Sequence, residues 1–146
     1  MESPEQAISL GLQLGVTACF VLLMTIIHAL GLVGVSRLLR LEEDRLRKHK
    51  FDSGAVMILA ALGLYLFALH IIEIFIFALF YLQVDAVESL EEALEYSASA
   101  YATLGTTSEY VPADWRLIAS MEALIGFILI GWSTAFMVNT MSKLTR

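Results

Sequence analysis

The run Thr103-Leu104-Gly105-Thr106-Thr107 is the stretch of this sequence best equipped to handle an ion. Threonine hydroxyls and the carbonyls of a non-helical backbone are oxygen ligands of the kind that replace a cation's hydration shell. Ser108 and Glu109 follow, and Asp85, Glu88, Glu91, Glu92 and Glu95 come before. A mouth lined by carboxylates concentrates cations. Four more ionisable residues, His28, His70, Glu73 and Glu122, fall inside apolar stretches. Charge is costly there, so each is a functional suspect. His70 and Glu73 stand one helical turn apart, a spacing that can ligate a metal. Two ligands are few, however, and the plainer expectation is a hydrogen bond to the short helix introduced below. Counted from the ends of its apolar stretch, His28 sits about 13 Å in depth from His70, so the two rings are not expected to share an ion. Glu122 is expected to reach toward the interface or to accept a hydrogen bond from that short helix. Its functional alternative is to stabilise cations behind the Thr-rich run. No nucleophile–base pair or phosphate loop survives inspection, so neither an enzyme nor a cofactor is expected.

These residues are carried by an unusually apolar chain. Of its 146 residues 58% are hydrophobic and 16% charged, against about 45–50% and about 25% in soluble domains. Three apolar stretches, 7–36, 53–82 and 117–141, are each long enough to cross a hydrocarbon core of about 30 Å. The first would measure about 45 Å as a helix and must tilt or project. It does not read as a signal peptide, because acidic Glu2 and Glu5 come before it and the run is too long. The lone Cys19 is expected to be a buried apolar thiol. The net charge of −6 argues against nucleic-acid binding.

Charge sets the expected orientation. Arg37, Arg40, Arg45, Arg47, Lys48 and Lys50 crowd the segment 37–52, and Lys143 and Arg146 close the chain. The N-terminus and the segment 84–114 hold acids and no Lys or Arg. The positive-inside rule puts 37–52 and the C-terminus in the cytoplasm, most simply at a cell (inner) membrane, with the N-terminus outside.

Within 84–114, Ser89 followed by Glu92 reads as a capping box. Leu90, Ala93, Leu94, Ser97, Ala98 and Tyr101 then repeat at helical spacing. A helix over 90–102 would be about 20 Å long, too short to cross. It would aim its partially negative C-terminal end inward, and the Thr-rich run would return to the surface. Irregular backbone at that depth is tolerated only against protein or a water-filled cavity. An extracellular loop with a surface helix is the competing expectation. Gly11, Gly15, Gly31, Gly34, Gly126 and Gly131 offer small surfaces for close helix packing, and Gly131 is alternatively a hinge. Trp115 reads as an interfacial anchor and the deeper Trp132 as packing. Ser133 and Thr134 are candidates to line a cavity.

Taken together, 53–146 resembles the potassium channel superfamily. The likeness rests on the order of outer helix (53–82), pore helix (90–102), filter (103–107) and inner helix (117–141). Ala102-Thr103-Leu104-Gly105 is similar to the start of the family filter T-V-G-Y-G, Glu109 stands three residues before Pro112, and Gly126 and Gly131 fall where family inner helices often carry a hinge. Thr106 and Thr107 replace the filter's Tyr and second Gly, and one extra residue separates filter from Pro112. β-Branched Thr resists the positive φ that Gly permits, so reduced selectivity is expected. The resemblance implies an all-α membrane protein of three transmembrane helices plus a short re-entrant pore helix. It implies a homotetramer in lipid, passing K⁺ and possibly Na⁺ and needing no cofactor. Two domains are expected, 1–52 as an additional helix with a basic loop and 53–146 as the pore module. The alternatives are a non-conducting assembly or sensor subunit, and a metal-ion carrier using His28, His70 and Glu73.

Overall fold

The computed structural model describes residues 9–46, 53–105 and 115–144. Thr106, Thr107, Ser108 and Glu109 lie outside the described residues. Those described form an all-α protein: α1 (Leu10–Leu46), α2 (Ser53–Gln83), α3 (Leu90–Tyr101) and α4 (Arg116–Leu144). Three of them contain stretches long and apolar enough to span a membrane, Leu10–Leu39, Gly54–Gln83 and Arg116–Lys143.

The first helix differs from expectation. It does not stop near residue 36 but continues to Leu46. The segment 37–46 is built mainly of Arg, Leu and Glu, all strong helix formers, and contains no Gly or Pro. The change from apolar to charged ends a membrane stretch without ending a helix. Cys19 also departs from expectation, since it is exposed on α1 rather than buried.

α2 and α3 end by the same device. After α2, Ala86 N donates to Tyr81 O (2.9 Å) and Asp85 N to Leu82 O (3.3 Å), with Asp85 left-handed at φ 52°. After α3, Leu104 N donates to Ser99 O (3.0 Å) and Thr103 N to Ala100 O (2.9 Å), with Thr103 left-handed at φ 59°. Both are Schellman closures, which satisfy carbonyls that a helix end otherwise leaves open. Asp tolerates this conformation; β-branched Thr adopts it rarely.

The chain divides into two compact units, Met1–Met24 with Ile74–Phe127, and Thr25–Glu73 with Ile128–Arg146. In the first, Phe20 stacks on Phe77 at 4.6 Å and meets the edge of Phe80 at 5.0 Å. Phe80 in turn contacts Trp115 at 5.4 Å. In the second, Leu32, Val35, Leu62 and Leu66 form a core, flanked by Leu39, Phe136 and Met137. Gly31 permits a close approach of α1 and α2 there, because a Cβ would fall 2.6 Å from Leu69 Cδ2. Tyr65 Oη donates to Gly31 O at 3.0 Å beside it.

Candidate functional site

The short helix α3 is held by polar contacts as well as packing. Ser89 caps its start, its Oγ accepting from Glu92 N at 3.2 Å. The return contact of the expected capping box is shifted by one residue: Glu92 Oε2 accepts from Glu88 N at 3.1 Å. Glu91 and Glu92 in the first turn suit the positive end of the helix.

Midway along α3, Ser97 is fully buried. Its Oγ lies 2.9 Å from Ile74 O on α2 and 2.5 Å from Glu122 Oε1 on α4. The second oxygen of Glu122 accepts from Tyr81 Oη at 2.7 Å. Tyr81 packs edge-on against Tyr96 of α3 at 5.0 Å. Glu122 therefore does not reach toward an interface; both its oxygens are engaged by protein hydroxyls and it is fully buried. The expected hydrogen bond between Glu122 and the short helix is present, through Ser97.

A hydroxyl carries one proton, yet Ser97 Oγ has two oxygen partners, one of them a carbonyl that only accepts. Both contacts are hydrogen bonds at once when Glu122 carries a proton and donates it to Ser97 Oγ, while Ser97 donates to Ile74 O. A carboxylic acid with two satisfied oxygens is also far less costly to bury than a carboxylate.

At its end α3 meets α4 at Gly126. A Cβ there would collide with the Tyr101 carbonyl oxygen and fall 2.9 Å from Tyr101 Cγ. Gly126 is thus a packing glycine. Gly131 has open space around it. Directly after this contact come Ala102, Thr103, Leu104 and Gly105, all exposed in the single chain. Leu104 is 79% exposed, and Gly105 is left-handed at φ 82°. The first residues of the expected filter are therefore non-helical and lie at the C-terminal end of α3.

The second constellation belongs to the other unit. Glu73, fully buried on α2, stands between two imidazoles. His28 Nδ1 on α1 is 2.9 Å from Glu73 Oε1, and His70 Nδ1 is 3.0 Å from Glu73 Oε2. The two rings are 5.4 Å apart. On its other side His28 Nε2 lies 3.3 Å from Ser133 Oγ on α4, and Trp132 sits 5.5 Å from the same ring. Thr134 turns away and donates to Ile130 O of its own helix.

This overturns the expected separation of His28 and His70. That depth was counted from a first span ending at residue 36. α1 instead runs to Leu46 and α2 begins at Ser53, so the two antiparallel helices are measured from nearly the same turn. His28 and His70 then stand almost equally far along them. Sequence reasoning also missed Ser97 as a polar partner and Ser133 as a neighbour of His28. The signal available was Ser97 on a helical face otherwise made of Leu, Ala and Tyr.

No family model, curated protein or solved structure matches this chain.

Proposed function

We propose that this chain is one subunit of a pore-loop cation channel. In this reading α2 is the outer helix, α3 the pore helix, 103–107 the oxygen-lined ion path and α4 the inner helix. Four copies around a cyclic axis enclose the path, and K⁺, with Na⁺, is the permeant ion class. The observation that carries the reading is the manner in which α3 is lodged. A twelve-residue helix, too short to span a bilayer, is pinned to α2 and α4 through Ser97 and seated on Gly126. It releases into exposed left-handed backbone at Thr103 and Gly105.

Two physical arguments support it. The partially negative C-terminal end of α3 leads in sequence into the Thr-rich run, which favours a cation there. Non-helical backbone at membrane depth needs protein or water beside it, and copies of the chain around an axis supply both. The basic segment 37–52 and the acidic segment 84–114 orient the path with Glu109 at its outer mouth and the C-terminus in the cytoplasm. The Thr106-Thr107 pair in place of Tyr-Gly favours modest selectivity.

Cation flux into liposomes carrying the purified chain tests this, comparing K⁺, Na⁺ and a bulky organic cation. Flux of the small ions alone, altered by Thr103→Ala and Gly105→Ala, is the expected result. A folded protein in liposomes that passes none of the three would overturn the conducting role and leave a channel-like assembly subunit.

A further inference from the structure

We infer that His28, His70 and Glu73 form a binding site for one divalent transition-metal ion that ties α1 to α2. Their ligand atoms lie within 4.8 Å of one another. Two contacts, at 2.9 and 3.0 Å, already bring a nitrogen to each carboxylate oxygen. Zinc or a similar ion bonds such atoms at about 2.0–2.2 Å and needs ligands about 3–3.5 Å apart. A separation of 4.8 Å must close by roughly 1.3 Å to reach that spacing, a change that side-chain rotation of the partly exposed His70 can supply. Both imidazoles present Nδ1, so each binds the metal through Nδ1 as a neutral ring with its proton on Nε2.

The donor set decides the class of ion. Two imidazole nitrogens and one carboxylate suit zinc, iron(II) and their neighbours, not the all-oxygen sites of Ca²⁺, Mg²⁺ or K⁺. The site is therefore distinct in chemistry from the oxygen-lined path proposed above. Three protein ligands leave a fourth position open, and His70 is its partly exposed member, with 16% of its side chain accessible against none for His28 and Glu73. Metal-bound histidines characteristically have their other nitrogen held by a polar group. Ser133 Oγ supplies this for His28 Nε2 at 3.3 Å.

The test uses the full chain, purified in detergent without a polyhistidine tag, and Co²⁺ as a visible probe followed by Zn²⁺ competition. The expected result is one Co²⁺ per chain by equilibrium dialysis, a visible absorption band, and displacement of that band by Zn²⁺. His70→Ala, the variant least disruptive to packing, should weaken binding by more than about 100-fold, beyond what an outer-shell change costs. Glu73→Gln should abolish the band. His49→Ala, which removes the remaining histidine, should leave the band unchanged. A helical wild-type chain with no band at millimolar Co²⁺, or a His70→Ala chain that binds as tightly as wild type, would sink the proposal. Because the readout is absorbance and stoichiometry, it stands or falls independently of ion flux.

Discussion

Ser97 Oγ and Glu122 Oε1 lie 2.5 Å apart, joining the middle of a twelve-residue helix to the N-terminal part of a membrane-length one. Both residues are fully buried, and the contact gives each a polar partner. It also explains how a carboxyl group can sit fully buried in an apolar helix. Tyr81 satisfies one oxygen, Ser97 the other, and the Ile74 carbonyl takes up the remaining hydroxyl proton.

Proton counting around Ser97 makes Glu122→Gln the informative substitution. A glutamine amide donates to Ser97 Oγ and accepts from Tyr81 as the protonated acid does, so thermal unfolding in detergent should shift little. Glu122→Ala removes the carboxyl partner of the buried Tyr81 hydroxyl, while Ser97 keeps its bond to Ile74 O, and should cost about 1–3 kcal/mol. A Gln variant as unstable as the Ala variant would show that Glu122 is held as a carboxylate.

Ser97→Ala and Tyr81→Phe each remove one partner of the same carboxyl group. Each alone should destabilise by about 1–3 kcal/mol. Groups within one hydrogen-bond network are not additive. A double-mutant cycle by thermal unfolding should therefore return a coupling energy of about 0.5–3 kcal/mol; a value near zero would mean that the two hydroxyls act separately.

The two glycines of α4, Gly126 and Gly131, should part company. Gly126→Ala drives a methyl group into the Tyr101 carbonyl, and overpacking of this kind costs about 1–3 kcal/mol. Gly131→Ala meets open space and should gain about 0.5–1 kcal/mol from helix propensity. Should Gly131→Ala nevertheless change flux, a hinge role would be indicated, because packing would not account for it.

Thr103 holds a conformation that β-branched residues resist. Thr103→Gly should relieve it and stabilise the closure of α3 by about 1 kcal/mol, while removing a hydroxyl from the proposed ion path. A variant that unfolds at higher temperature and conducts less well is the expected outcome. Raised flux with unchanged stability would argue that the Thr103 side chain stands outside the path.

The membrane class, the three apolar stretches and the short capped helix were legible because each is a local property. Hydropathy over about 20 residues, a Ser three positions before a Glu, and helical spacing of small residues all act within one segment. The end of α1 was misread because hydropathy reports where lipid stops, whereas helix formers at 37–46 carry the backbone on regardless. That one boundary concealed the cluster of His28, His70 and Glu73. Burial of Glu122 against Ser97 and Tyr81, and the seating of Tyr101 on Gly126, likewise join residues far apart in the chain.

By itself, then, the sequence determined which segments are apolar helices and which ionisable residues they must hide. Only the tertiary structure decided which of those residues meet. A pairing across helices depends on the relative register of whole elements, and neither hydropathy nor spacing within one segment encodes that register.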